Sequence, residues 1–121
     1  MKTREDVKGV THKVTIGSFK GFITINVTID GDPLEVFIHD FGKLGSIMQG
    51  WADAFAIMLS IYLQSNGDIS RLAHRFARKS FEPYGKTDNP NIPWCDSLPD
   101  YVFRYLSLIY PDLNLGSIWI A

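Results

Sequence analysis

Phe22-Ile23-Thr24-Ile25-Asn26-Val27-Thr28-Ile29-Asp30-Gly31-Asp32-Pro33-Leu34-Glu35-Val36-Phe37-Ile38-His39 decides the fold class of this chain. Polar and apolar residues alternate through Ile29, with β-branched side chains at nearly every position, the pattern of a strand with one buried face. Asp30-Gly31 is a hairpin turn signal, and Pro33 suits the first position of the returning strand. Upstream, His12-Lys13-Val14-Thr15-Ile16 alternates in the same way until Gly17-Ser18 breaks it. Residues 12–40 therefore predict an antiparallel meander of about three strands, to be completed by the C-terminal tail or by a partner chain.

Helical spacing takes over downstream. Gly42 and Gly45 punctuate the chain, Ser46 is a suitable N-cap, and Gln49 follows three residues later as in a capping box. From Ile47 to Leu63, Met48, Trp51, Ala52, Phe55, Met58, Leu59 and Tyr62 form an apolar stripe, widened nearly all round by Ala54, Ala56, Ile57 and Ile61. Such a helix is expected to be largely buried, between the sheet and other helices or a partner chain. Asn66-Gly67 ends it, and Asp68 caps a shorter helix from Ile69 to about Lys79. A third helix is expected from Tyr101 to about Tyr110, stopped by Pro111. The result is an α+β fold in one domain over 1–121: a meander, a helical part over 46–110 with a loop over 80–95, and a tail over 111–121. That apolar tail is expected to dock on the sheet or on a neighbouring subunit.

Composition narrows the function classes. The 121 residues are 45% hydrophobic with a formal charge of −1. This favours a packed core and provides no overall drive toward a nucleic acid polymer or an anionic membrane. No apolar run reaches the ~18–20 residues of a membrane span, and the first residues lack the apolar core of a secretory signal. A single cysteine, Cys95, excludes an internal disulfide and a multi-cysteine zinc site. The expected setting is cytoplasmic. Cys95 lacks a neighbouring base and reads as a small buried hydrophobe. His12, His39 and His74 share no metal-ligand spacing, so neither a metal nor a cofactor is implied.

Phe81-Glu82-Pro83-Tyr84-Gly85-Lys86-Thr87-Asp88-Asn89-Pro90-Asn91-Ile92-Pro93 separates two helical segments and is long for a mere connector. Three prolines stiffen it. Arg71, Arg75, Arg78 and Lys79 are spaced to share one helix face that runs into Phe81, and Arg104 is placed to approach from the third helix. Guanidinium groups can hold phosphate in a bidentate grip, and an aromatic ring can stack on a base. Phe81, Thr87, Asn89, Asn91 and these arginines therefore form a candidate site for a nucleotide-like anion. No general acid–base pair accompanies them, which points to binding without chemistry. Competing readings are a solvated basic face and a loop that merely clasps the helices.

Gly17 to Leu106 resembles the TSCPD module at the carboxyl end of adenosylcobalamin-dependent ribonucleotide reductases. Similar stretches are Lys20-Gly21-Phe22-Ile23-Thr24, Glu35-Val36-Phe37-Ile38, Gly45-Ser46-Ile47 with Asp53-Ala54-Phe55-Ala56, Phe81-Glu82-Pro83 with Gly85, Thr87, Asn89-Pro90 and Ile92-Pro93, and Ser97 with Asp100-Tyr101-Val102-Phe103-Arg104-Tyr105-Leu106. The resemblance implies a free-standing accessory module, of the kind found in phage genomes, without the catalytic cysteines and cobalamin site of the large barrel. The chain departs from the module in lacking its eponymous cysteine motif and reads Leu98-Pro99-Asp100 instead. In size, element order and its Phe81–Asn91 element, the chain also resembles phage Thoeris anti-defence proteins. Those proteins sequester cyclic ADP-ribose signals, and some take up cyclic oligonucleotides.

Three functional expectations follow. One is an oligomeric protein that sequesters a nucleotide signal. Another is an accessory module of ribonucleotide reduction acting through protein contact. The third is a purely structural role for the loop, with Phe81 deeply buried. A homo-oligomer is expected throughout, with Met48, Met58 and Ile61 at the subunit contact.

Overall fold

The computed structural model describes residues 8–41 and 46–119, so Met1–Val7, the Gly42 and Gly45 punctuation and Ile120-Ala121 lie outside the described residues. The elements are β1 (Lys8–Ile16), β2 (Phe19–Val27), β3 (Pro33–His39), α1 (Ile47–Gln64), α2 (Ile69–Phe76), β4 (Gly85–Lys86), β5 (Trp94–Cys95) and α3 (Leu98–Ile109). Two short 3-10 turns follow, Pro111–Leu113 and Gly116–Trp119. The first three strands form an antiparallel sheet in the order β1-β2-β3, followed by three helices, an α+β fold.

The chain divides into two compact units. One holds β1 through Val14, β2, β3 and α1; the other holds Thr15–Ser18 and everything from Asp68 onward.

In the first unit β2 and β3 pair with Ile23 opposite Ile38 and Ile25 opposite Val36, all four buried. A buried side chain of this size contributes about 1.5–3 kcal/mol, so this face is a substantial part of the unit's core. The turn is longer than two residues because Thr28 closes it. Its N–H donates to the Asp32 carbonyl (2.8 Å), while its Oγ1 accepts from the Asp32 N–H (3.2 Å) and its carbonyl from the Gly31 N–H (2.9 Å). Gly31 has φ +87°, where a side chain would be strained. Gly21 has a different role. A Cβ there would run into the Phe41 ring and lie 2.9 Å from the His39 carbonyl oxygen, so the bare backbone makes room for buried Phe41.

Helix α1 buries one face rather than its whole circumference. Ala52, Ala56, Leu59, Ser60 and Leu63 are buried, whereas Trp51 and Met58, expected within the buried stripe, are exposed. The reason lies in β3, the outermost strand, whose outward backbone groups have no strand partner among the described residues. Ala52, Ala56 and Ser60, four residues apart, present small side chains to it. Ser60 Oγ accepts from Val36 N–H (2.9 Å) and donates to the Val36 carbonyl (3.0 Å). Gln64 Nε2 lies 3.5 Å from the Leu34 carbonyl, and Gln49 Nε2 donates to the Ile38 carbonyl (3.0 Å). Gln49 Oε1 also accepts from Phe41 N–H (2.6 Å). Four helix residues rise about 6 Å and two strand residues about 6.7 Å, so Gln64 and Ser60 keep step with Leu34 and Val36. A helix thereby closes an edge that would otherwise invite another strand.

The second unit centres on α3, where Tyr101, Val102, Phe103 and Leu106 are buried. Phe76 of α2 stacks on Phe103 at 5.8 Å between ring centroids. Among the described residues the tail contributes no strand to the sheet. Its 3-10 turns pack on α3 within this unit, with Leu115 and Ile118 buried.

Candidate functional site

The proline-rich loop is an ordered hairpin rather than an open strap. β4 and β5 pair with Gly85 opposite Cys95 and Lys86 opposite Trp94. Thr87 and Asn89 organise its tip. Thr87 Oγ1 donates to the Ile92 carbonyl and accepts from Asn89 N–H (3.0 Å), and Thr87 N–H donates to the Pro93 carbonyl (3.2 Å). Asn89 Oδ1 accepts from Asn91 N–H (2.9 Å), an Asx-turn, while Asn89 Nδ2 donates to the Tyr101 hydroxyl (3.2 Å). The hairpin also holds the end of β1. Gly17 N–H donates to the Lys86 carbonyl (2.7 Å), and Thr15 N–H to Asp88 Oδ1 (3.2 Å).

The predicted site residues are thus distributed among several tasks. Thr87, Asn89 and Asn91 come together, with Thr87 Oγ1 and Asn89 Oδ1 engaged inside the hairpin and Asn89 Nδ2 engaged by Tyr101 of α3. Phe81 is 41% exposed rather than deeply buried, and its N–H donates to the Asp96 carbonyl (2.9 Å). Arg71 and Arg75 stand exposed on α2. Arg78 and Lys79 do not continue that face. The helix ends at Phe76, Ala77 is extended, and Arg78 takes a left-handed φ of +62°. Among the described residues, no hydrogen bond or ion pair joins Arg71, Arg75 or Arg78 to the hairpin.

Arg104 belongs to a cluster that the sequence reading passed over. Asp100 is fully buried in the first turn of α3. Its Oδ2 accepts from Arg104 Nε (2.9 Å) and from Asp96 N–H (2.9 Å), and its Oδ1 from Trp119 Nε1 (2.9 Å). Ser97 Oγ caps the helix by accepting from Asp100 N–H (3.0 Å). The Arg104 guanidinium carbon lies 5.3 Å from the centroid of the Trp119 ring, within cation–π range. The local signal for this cluster is the i, i+4 spacing of Asp100 and Arg104 behind a Ser97 cap. Its third member is nineteen residues away.

Cys95, on β5, is fully buried. Burial, and next the Asp100 charge, push its thiol from the ordinary 9.0 to about 12. Burial likewise raises the Tyr101 hydroxyl to about 12, against the opposing hydrogen bond from Asn89. A thiol held protonated is a poor nucleophile. Native protein should therefore resist iodoacetamide at pH 8 and react once denatured. The folded state keeps both protons above the pH at which the unfolded chain releases them. The contribution of these two groups to stability is accordingly fully present below pH 9 and lost as pH rises toward 12. Denaturant midpoints measured across that interval test the sign, and Cys95→Ala should flatten the first part of the fall.

Two further features lie on the first unit. A groove of about 420 Å³ runs between β3 and α1, lined by Phe37, His39, Asp53, Ile57 and Ile61 among others. The outer face of α1 carries exposed Ile47, Trp51, Ile57, Met58 and Ile61.

The model of the TSCPD domain matches residues 1–110. The chain belongs to the TSCPD domain family. This TSCPD domain is similar to the vitamin B12-dependent ribonucleotide reductase of Streptomyces avermitilis, 37% identical over 100 residues, which are 83% of this chain and 10% of the reductase. The reductase of Streptantibioticus cattleyicolor is also 37% identical over 100 residues, 83% of this chain and 16% of that protein. That of Rhodopirellula baltica is 33% identical over 107 residues, 88% of this chain and 10% of the reductase. The TSCPD domain thus spans only a small part of these relatives. No solved structure matches it. The comparisons give no support to the resemblance to phage Thoeris anti-defence proteins, nor to a phage origin. Among the described residues no helix is long and apolar enough to cross a membrane.

Proposed function

We propose that this TSCPD domain is a non-catalytic module of ribonucleotide reduction that acts through protein contact with a reductase core. The observation that carries this reading is the extent of the match: most of this chain aligns with about a tenth of a vitamin B12-dependent reductase. The chain's own chemistry is in keeping with a non-catalytic part. Its only thiol is buried and held protonated, and Thr87 and Asn89 are engaged in the hairpin's own architecture. The alternative expectation, sequestration of a nucleotide signal, would need those polar groups to face a ligand.

The test uses the reductase of Streptomyces avermitilis with its matching region removed, mixed with this chain. Co-elution at micromolar concentration and a change in reductase turnover are expected. Absence of both, together with release of an intact nucleotide on heating the purified chain, would overturn the proposal in favour of sequestration.

A further inference from the structure

We infer that the outer face of α1 is a self-association surface, and that its occupant is the same face of a second copy of this chain. Ile47, Trp51, Met58 and Ile61 are 81%, 73%, 66% and 59% exposed. With half-buried Ala54 they follow one another at steps of four, three, four and three residues, the seam spacing of paired helices. The seam is about 21 Å long at 1.5 Å per residue. Together with Ile57 it presents roughly 500 Å² of contiguous apolar surface, near the top of what a monomer leaves in water. The flanking Met48, Phe55 and Tyr62 would bring it close to the ~800 Å² that each partner contributes to a stable pair.

Charge selects the occupant. Helix α1 has one charged residue, Asp53, which lies off the seam and accepts a hydrogen bond from Gln49 Nε2 at 2.8 Å. Joining two such faces desolvates no ion and opposes no like charges. A face with no charge of its own also offers nothing to a charged partner. The same helix is held to β3 by its opposite face, through Ala52, Ala56 and Ser60, so the outer face is available without disturbing the fold. The inference stands independently of the proposed role in ribonucleotide reduction.

Position 54 lies at the midpoint of the seam. In an isologous pair the midpoint meets its own copy whether the helices run parallel or antiparallel. Ala54→Cys should therefore yield a disulfide-linked dimer when copper–phenanthroline oxidises the two thiols, and buried Cys95 should not compete. Sedimentation velocity should show the unmodified chain dimeric at micromolar concentration. Trp51→Glu/Met58→Glu should weaken the pair at least about a hundredfold while leaving the thermal midpoint of a dilute sample unchanged, because both side chains are exposed. An unmodified chain that stays monomeric at about 100 μM, where weak pairs are populated, would overturn the inference. So would a double variant that pairs as well as the original, a dimer in which Ala54→Cys does not cross-link, or a monomeric chain whose seam instead binds the truncated reductase core.

Discussion

Asp100→Ala should destabilise the protein by about 3 kcal/mol, the lower end of the cost of breaking a buried ion pair from one side, because the Arg104 side chain keeps a quarter of its surface in water. The carboxylate is fully buried and accepts from three donors: Arg104 Nε, Asp96 N–H and Trp119 Nε1. Alanine would leave a guanidinium, a backbone amide and an indole N–H around a void. It would also remove a negative charge from the first turn of α3, where the helix dipole favours one. For a chain of this size the thermal midpoint should fall on the order of 10–20 °C. Trp119 fluorescence should report the change first, since that side chain loses both its acceptor and its anchored cation–π partner. Asp100→Asn/Arg104→Gln should cost clearly less than Asp100→Ala. It removes charge from both sides and leaves amides that can still bond, whereas the single variant strands a cation. If Asp100→Ala shifted stability by less than about 1 kcal/mol, an ordinary surface effect, the cluster would not be the anchor of this unit.

The regular elements were legible because each has a strong period. Alternation in Phe22–Ile29 and Leu34–His39, and the turn at Asp30-Gly31, yielded the β2–β3 hairpin, and the Ser46 cap placed the start of α1 correctly. Three things were hidden, each for a physical reason. Helix α2 stops at Phe76, with Ala77 extended and Arg78 at a left-handed φ, and neither an alanine nor an arginine gives a sign of those conformations in sequence. The burial of α1 is rotated away from its bulkiest residues because close approach to β3 requires alanine and serine, and periodicity counts apolarity rather than size. The Asp100 cluster draws on α3, the segment before it and the tail, so only its i, i+4 pair was local. Its place on the third helix therefore points Arg104 toward a ligand in sequence, whereas the fold commits it to Asp100. The pairing of Thr87 with Ile92 and of Asn89 with Asn91 was equally opaque, because an amide or hydroxyl looks the same in sequence whether it faces a ligand or its own loop.

Ser60→Ala should cost about 2–4 kcal/mol, a large effect for the loss of one oxygen atom. That hydroxyl is both acceptor for Val36 N–H and donor to the Val36 carbonyl, and Ser60 is buried. An unpaired buried backbone group costs about 1–3 kcal/mol, and the substitution leaves two of them at one residue. Alanine adds no bulk, so the penalty cannot be attributed to overpacking. Water could relieve it only by entering between Val36 and α1, which would loosen the contact that Ala52 and Ala56 keep close. Hydrogen exchange at Val36 should accelerate in step with the loss of global stability. Gln64→Ala is the internal comparison. Its contact with the Leu34 carbonyl is 3.5 Å long and only part-buried, so it should cost no more than about 0.5 kcal/mol. Equal effects of the two variants would mean that general helix packing, rather than the Ser60 clamp, holds α1 to the sheet edge. A dominant effect at Ser60 would instead show that a helix side chain supplies what a fourth strand supplies elsewhere, leaving the outer face of α1 available for other contacts.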